Sequence, residues 1–214
     1  IAIDEAQRCA RYIGVLIDDV ATKAASFEIQ SRIWRVGMRP INALVDITNY
    51  VMLAVGQPTH AFDSGNIEGG ITVRRAQNGE KLLLLNGKEV TLTPEDLVIA
   101  DDKEAVALAG IMGGSKDSIL PGTTSVILEI ANFEPLGTRK TAQRNELRTE
   151  ASVRYEKGID PQRADQALRL AASLFAAEFP SMKIAGYRDN YPRTLEPTQV
   201  DVSLNWLAKR MGKD

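Results

Sequence analysis

The only histidine in the chain, His60, is the first residue whose type could do acid–base chemistry near neutral pH. A single imidazole excludes every mechanism that needs two histidines, so an imidazole acting as general acid or base must be this one. We expect His60 in a loop just past the C-terminal end of a helix. There, Thr48 and Asn49 could help it to hold a water molecule. The same pattern fits a packed histidine whose nitrogens bond to the backbone, and both interpretations stay open.

A second candidate is Glu129, which lies inside the otherwise apolar stretch VILEIA. Successive side chains of a strand point to opposite faces, and this alternation favours a carboxylate that faces solvent. The alternative is a carboxylate that faces a cavity, where it would be costly unless it were paired. The pattern alone therefore favours a solvent-facing Glu129.

The run AGIMGG at residues 109–114 is rich in glycine and follows a predicted strand. It matches neither GxxxxGK[ST] nor GxGxxG, so we predict no nucleotide-phosphate loop. Gly110, Gly113 and Gly114 would let backbone N–H groups approach a ligand closely. A tight turn is the favoured interpretation.

Composition restricts the other classes of site. The chain has one cysteine, Cys9, which excludes an internal disulfide and a cysteine-based zinc site and suits a reducing compartment. A metallohydrolase is disfavoured, while a carboxylate-only Mg²⁺ site stays open. Spacing identifies no Ser-His-Asp triad. The net charge of -2 gives no overall attraction for nucleic acid. The basic residues at 139–157 alternate with glutamates, which favours a solvated helix face over phosphate contacts.

The elements that must position these residues follow the order helices, many short strands, helices. The predicted helices begin at Ser26, near Pro40, at Thr138 and at Asp160-Pro161. The predicted strands are at 11–17, 71–75 and 125–130, with hairpins that turn at Asn86-Gly87 and at Asp101-Asp102. This order favours an α+β fold with a central mixed or antiparallel β-rich core flanked by helices. No apolar run approaches the ~20 residues of a membrane span, and we expect a cytoplasmic protein.

Three segments, in this order and spacing, resemble one family. They are RPINALVDITNYVMLAVGQPTHAFD, then VALAGIMGG with VILEIANF, then TAQRNELRTEASVRYEKGIDP. They are similar to the central editing module (B3/B4) of the β subunit of bacterial phenylalanyl-tRNA synthetase, over about Cys9 to Phe179. The resemblance implies that residues 1–186 form this module from two intertwined subdomains. Residues 187–214 would then form a linker and the start of the next β-subunit domain.

The resemblance also implies an activity, the post-transfer editing of mischarged Tyr-tRNA(Phe) by ester hydrolysis, with RNA binding. A synthetic pocket for Phe cannot strongly reject an added hydroxyl, whereas a second site that hydrogen-bonds the hydroxyl can reject Phe. The implied partners are the acceptor end of tRNA(Phe) and the α subunit in an α2β2 assembly, with tyrosine as the editing product. Amino-acid activation would belong to the α subunit. No cofactor is expected in this fragment, and ATP and Mg²⁺ are expected only for the full synthetase.

Nine residues match family positions that line the editing pocket. His60, Thr48 and Asn49 are the implied catalytic residues, which would orient the ester and the attacking water. Glu129 would accept the tyrosyl O–H, which reverses the preference for solvent. The other implied substrate-binding residues are Arg39, Gly110, Gly113, Thr149 and Ala151. No metal is required.

Two alternatives from other classes remain. The chain could be a non-catalytic tRNA-positioning or subunit-packing module that keeps the fold without using the pocket. It could also be a small-molecule-binding α+β domain. A pocket that no carboxylate reaches would favour the last.

Overall fold

The computed structural model describes residues 1–116, 118–192, 194 and 199–212. The helices within these residues are α1 (Phe27–Arg35), α2 (Ala43–Val55), α3 (Pro135–Arg144), α4 (Glu150–Tyr155), α5 (Arg163–Glu178) and α6 (Leu204–Arg210). The strands are β1 (Ala2–Ile3), β2 (Cys9–Asp18), β3 (Thr59–Asp63), β4 (Thr72–Arg75), β5 (Lys81–Leu83), β6 (Glu89–Thr91), β7 (Leu97–Ala100), β8 (Ala105–Leu108), β9 (Met112–Gly113), β10 (Ser125–Phe133) and β11 (Lys183–Asn190). The predicted α+β class is confirmed.

Two sheets form the centre of the molecule. The first has four strands in the order β11-β2-β10-β3, and all of its pairs are antiparallel. The second has the order β1-β4-β7-β8-β9, in which only the β1-β4 pair is parallel. A separate hairpin of β5 and β6 turns at Asn86-Gly87, where Gly87 has a φ of 81°. Glycine adopts this positive φ without a Cβ clash, which explains the Gly at the end of the turn. The predicted hairpin is confirmed.

The four-stranded sheet is covered on both faces. One face of β2 and β10 packs against α2 and α5 through Ile13, Val15, Ile17, Val126, Leu128 and Ile130. The small side chains Ala164, Ala167 and Ala171 lie on the inner face of α5, and small contact residues let a helix approach its neighbour closely. The other face packs against the five-stranded sheet through Tyr12, Ala131 and Phe133. The centre of this sheet therefore has no solvent-facing side.

The start of α2 differs from the prediction. Residues 40–42 are not helical, and the helix begins at Ala43 instead of near Pro40. Asn42 is the N-cap, and its side chain accepts a hydrogen bond from the Val45 N–H at 3.1 Å. A cap that satisfies a free N–H group determines where a helix begins, and here Asn42 does so after Pro40. The end is as predicted, because Gly56 has a φ of 74° and closes the helix.

We expect Asn42→Ala to lower the free energy of unfolding by about 1 kcal/mol, because the Val45 N–H loses its acceptor. Urea unfolding of the chain measures this difference. Gln162→Ala is the matched control, since Gln162 is the N-cap of α5 and its side chain makes no capping hydrogen bond. An equal loss in both variants would contradict the assignment of the Asn42 cap.

Three other predicted boundaries are wrong. Helix α3 begins at Pro135 instead of Thr138, because the Glu134 carboxylate accepts hydrogen bonds from the first free N–H groups. Helix α5 begins at Arg163, two residues after Pro161. Strand β11 runs to Asn190 and pairs with β2, so residues 187–190 of the predicted linker belong to the sheet. Arg193 and residues 195–198 of that linker lie outside the described residues.

Candidate functional site

Glu129 and His60 form a direct cross-strand pair between β10 and β3. Residues opposite each other in an antiparallel pair share one face of the sheet. That face is the one toward the second sheet, and the His60 ring packs edge-on against Phe62 with the ring centroids 4.6 Å apart. The predicted loop position of His60 is therefore wrong, because the residues after Gly56 form a strand within three positions.

Glu129 is buried, with 6% of its surface exposed. The prediction from alternation was therefore wrong, because alternation points a side chain to solvent only when one face of the strand is uncovered. The Tyr12 hydroxyl donates a hydrogen bond to Oε2 of Glu129 at 2.8 Å. Burial raises the pKa of Glu129 to about 7, and the hydrogen bond from Tyr12 opposes this rise.

A small cavity of about 80 Å³, the inner cavity, lies in front of Glu129. The expected residues His60, Gly110, Gly113 and Ala151 also line it. A larger cleft of about 490 Å³, the outer cleft, shares His60, Gly113 and Ala151 with the inner cavity. The two spaces therefore meet at His60, with Glu129 on the inner side.

The outer cleft is lined by three more of the expected polar residues. They are Thr48, Asn49 and Thr149. The Thr48 hydroxyl donates to the Val45 carbonyl at 2.7 Å and the Thr149 hydroxyl donates to the Ile111 carbonyl at 2.9 Å, which leaves both oxygens as acceptors. Thr149 Oγ1 already accepts from the Ser152 N–H in the capping box of α4. Eight of the nine expected residues thus line one continuous space.

Arg39 is the expected residue that the structure does not bring to this space. Its side chain is exposed, and it lines neither the inner cavity nor the outer cleft. Its neighbours Met38 and Ile41 line the outer cleft. Arg39 therefore lies on the surface next to the mouth of the cleft.

Two glycines allow the walls of the inner cavity to come close. A Cβ at Gly113 would lie 2.7 Å from Nε2 of His60. Gly110 has a φ of 70°, and a Cβ there would lie 3.0 Å from the Phe133 ring and 3.1 Å from the Tyr155 ring. The predicted tight turn is confirmed at Gly110, whereas the close approach at Gly113 is to the side chain of His60.

Sequence reasoning missed two tyrosines of the site. Tyr12 is completely buried on β2, opposite Ala131, and it therefore shares a face with Glu129. Tyr155 lines the inner cavity, and its hydroxyl donates to the Ala131 carbonyl at 2.9 Å. Gln57 braces the same wall, since its side-chain N–H groups donate to the Pro58 and Ala131 carbonyls. No spacing in the sequence connects Tyr12 with Glu129, because the sheet alone brings the two strands together.

The described residues contain neither a metal-binding cluster nor a membrane-spanning helix. In that part of the chain, no group of three or more His, Cys, Asp and Glu side chains is arranged to hold a metal ion. None of the helices described there is long and apolar enough to cross a membrane.

Comparison with known proteins identifies the family. The family model described as the B3/4 domain matches residues 8–179. The chain belongs to the B3/4 domain family. This B3/4 domain corresponds to a segment of phenylalanine–tRNA ligase β subunits, as the resemblance in the sequence predicted.

The B3/4 domain is similar to curated proteins that carry the name phenylalanine–tRNA ligase β subunit. It is 46% identical to the one from Sodalis glossinidius over 178 residues, which cover 83% of this chain and 22% of that protein. It is 41% identical to the one from Carboxydothermus hydrogenoformans over 214 residues, which cover 99% of this chain and 27% of that protein. The chain thus spans about a quarter of the length of these relatives.

A solved structure has the same fold. It is an N-terminal fragment of the phenylalanyl-tRNA synthetase β subunit from Pyrococcus horikoshii. The TM-score is 0.55 at 11% identity, and the match covers 99% of this chain and 58% of that one. At this identity the likeness concerns the fold alone.

His60 should titrate far below the usual range of a histidine. Burial disfavours the imidazolium and lowers its pKa from 6.5 to about 4. Within the described part of the B3/4 domain, neither ring nitrogen has a hydrogen-bond partner that would oppose this shift. His60 is therefore neutral at neutral pH. Because the unfolded chain binds this proton more readily, His60 should make the folded domain less stable as the pH falls from 6.5 towards 4.

Proton NMR can measure this pKa directly, because the chain has a single histidine and hence one Hε1 resonance of this type. We expect a titration midpoint about 4 in the folded B3/4 domain. The same resonance in urea, where the chain is unfolded, is the control and should titrate near the ordinary value of ~6.5. A folded midpoint near that ordinary value would contradict the desolvation of this half-buried ring.

Proposed function

We propose that this B3/4 domain hydrolyses the ester bond of Tyr-tRNA(Phe), as the editing site of a phenylalanine–tRNA ligase. The observation that carries the proposal is the buried carboxylate of Glu129 at the inner cavity. Tyr12 occupies its Oε2, and no described residue hydrogen-bonds its Oε1. An unused acceptor beside a cavity is suited to a ligand that brings its own hydroxyl donor.

The same carboxylate explains why phenylalanine would be rejected. A tyrosine ring that enters the inner cavity with its hydroxyl toward Glu129 donates the missing hydrogen bond. A phenylalanine ring displaces water from Oε1 and gives no bond in return. Leaving a buried acceptor unpaired costs about 1–3 kcal/mol, or roughly 10- to 100-fold in selectivity.

The sizes of the two spaces fit this orientation. The inner cavity of about 80 Å³ takes the hydroxyl end of the ring, and the outer cleft of about 490 Å³ takes the ester and the terminal ribose. His60 lies where the two spaces meet, next to the position of the ester. The tyrosyl group would thus lie with its hydroxyl toward Glu129 and its ester toward Thr48 and Asn49.

Hydrolysis in this site would depend on positioning. The reaction adds water across the ester and releases tyrosine and the free hydroxyl of the terminal adenosine. Neutral His60 is a weak base, since burial lowers its pKa to about 4. The Thr48 oxygen can accept a hydrogen bond from the water, and the Asn49 amide can donate one to the ester carbonyl. The vicinal hydroxyl of the ribose would share the proton transfer, and the aligned water supplies most of the acceleration.

The proposed partners follow from the β-subunit names of the relatives. They are the acceptor end of tRNA(Phe), which the domain would bind as an RNA substrate, and the α subunit of an α2β2 synthetase. We propose a cytoplasmic location, no cofactor in this fragment, and ATP and Mg²⁺ only for synthesis by the full enzyme. We also propose a division into a module, extended from residues 1–186 to the end of β11 at Asn190, and the start of a further domain beyond it.

The experiment compares deacylation of Tyr-tRNA(Phe) and Phe-tRNA(Phe) by the full synthetase. We expect faster release of tyrosine than of phenylalanine. Ala151→Phe should remove this activity, because Ala151 lines both spaces and a benzyl group there would obstruct the place where they meet. Ala54→Phe is the control, since Ala54 is exposed on α2. Equal tyrosine release in the wild type and Ala151→Phe would overturn the proposal and leave a non-catalytic tRNA-positioning or packing module.

A further inference from the structure

The Tyr12–Glu129 hydrogen bond is fixed by the sheet. Tyr12 and Glu129 lie on adjacent strands, with Tyr12 opposite Ala131 and Glu129 opposite Gly14. They are therefore diagonal neighbours on one face of the sheet. Tyr12 has no exposed surface, and its hydroxyl has this one partner among the described residues. The phenol cannot turn away without opening the space between the two sheets.

We propose that Tyr12 is a positioning residue for substrate selection, which holds Oε2 of Glu129 so that Oε1 alone is presented to the inner cavity as the acceptor for a second, substrate phenol. This inference rests on the proposed function. It adds a specificity-determining residue that lies behind Glu129 and does not touch the substrate. The carboxylate then binds two phenols, one from the chain and one from the substrate.

Tyr12 also favours the ionised form of Glu129. The titratable groups around Glu129 are Cys9 and Tyr12 on β2, His60 on β3 and Tyr155 on α4. In the described part of the chain no cation pairs with Glu129, and the Tyr12 hydroxyl is its one hydrogen-bond donor. This bond lowers the pKa of Glu129 against the larger effect of burial. An ionised acceptor forms a stronger hydrogen bond than a neutral one.

Removing the Tyr12 hydroxyl should therefore change how the selectivity for tyrosine depends on pH. In Tyr12→Phe the pKa of Glu129 rises further, because burial is no longer opposed. The carboxyl group is then protonated over more of the neutral range, and its donor–acceptor pattern toward the cavity changes. Selectivity for tyrosine should fall at neutral pH and recover when the pH is high enough to ionise Glu129 again. A variant that merely loosens the fold would not recover in this way.

The test uses the full synthetase and the ratio of kcat/KM for Tyr-tRNA(Phe) to that for Phe-tRNA(Phe), measured from about pH 6 to 8.5 with spontaneous ester hydrolysis subtracted. In Tyr12→Phe we expect a loss of roughly 10-fold in the ratio at neutral pH and a midpoint moved to higher pH. Tyr155→Phe is the matched control, because it also removes a buried tyrosine hydroxyl but one bonded to the Ala131 carbonyl. Its midpoint should stay at that of the wild type.

A second replacement at position 12 tests the inference even if the synthetase with Tyr12→Phe does not fold or assemble. A 3-fluorotyrosine at position 12 keeps the volume of the residue nearly unchanged and makes its hydroxyl a stronger donor, so the midpoint should move to lower pH. An unchanged midpoint in either Tyr12 replacement, or an equal shift in Tyr155→Phe, would overturn the inference while the proposed function stands. A wild type that does not prefer Tyr-tRNA(Phe) at any pH would instead overturn the proposed function itself.

Discussion

A full synthetase that carries Glu129→Gln should lose roughly 10- to 100-fold of its preference for Tyr-tRNA(Phe) over Phe-tRNA(Phe) near pH 8. Glutamine keeps the shape of the side chain, and its amide oxygen still accepts the Tyr12 hydroxyl. The group presented to the cavity becomes a neutral N–H donor instead of an anionic acceptor. The substrate phenol then loses its charge-assisted bond, while phenylalanine no longer leaves a charge unpaired.

The measurement is the ratio of kcat/KM for the two esters. Glutamine is preferable to alanine, because Glu129→Ala would leave the buried Tyr12 hydroxyl without a partner and would mix a folding defect with a loss of selectivity. The control is Glu150→Gln, since Glu150 is exposed at the rim of the outer cleft and pairs with Arg154. A wild-type ratio in Glu129→Gln would show that the carboxylate does not choose the substrate.

The same substitution should stabilise the folded domain at alkaline pH. Burial raises the pKa of Glu129 from 4.5 to about 7, so the folded chain binds this proton more readily than the unfolded chain. Stability from this group is therefore present below pH 4.5 and is lost as the pH rises through 7. Near pH 8, Glu129→Gln should be more stable than the wild type by up to about 3 kcal/mol.

Urea unfolding of the chain at about pH 5 and pH 8 separates this effect from others, because the difference between variant and wild type should grow with pH. Glu95→Gln is the control, since Glu95 is exposed and its carboxylate has no hydrogen-bond partner in the described part of the chain. The prediction fails when the two variants differ from the wild type by the same amount at both pH values. It also fails when Glu129→Gln is the less stable protein at pH 8.

Together, a loss of substrate preference and a gain of folding stability in Glu129→Gln would show that the Glu129 carboxylate favours substrate selection at the expense of stability. A buried, unpaired anion destabilises the fold. A natural sequence keeps such a group where it has a use that a neutral residue cannot supply. Glu129 would have that use when a substrate phenol binds, because the hydrogen bond donated by the phenol replaces the hydrogen bonds to water that the buried carboxylate has lost.

Much of the fold could be predicted from local patterns. The Asn86-Gly87 hairpin, the apolar strand around Glu129 and the end of α2 at Gly56 each depend on neighbouring residues, and each is confirmed. Helix starts were less predictable. Asn42 and Glu134 fixed the beginnings of α2 and α3 through capping bonds. At α2 the cap overrides the preference of Pro40 for a first turn, whereas at α3 Pro135 occupies that first-turn position.

For the site as well, some features could be predicted from the sequence and others only from the tertiary structure. The sequence by itself determined the order of the elements, the single imidazole at His60 and, through its motifs, the family. The family resemblance implied that Glu129 lines a pocket, but the pattern of the strand did not. Only the tertiary structure decided that His60 lies opposite Glu129 and that Tyr12 holds it. The reason is that alternation along a strand tells which residues share a face but not what covers that face. Here a helical layer and a second sheet cover both faces, so the carboxylate is buried on either side.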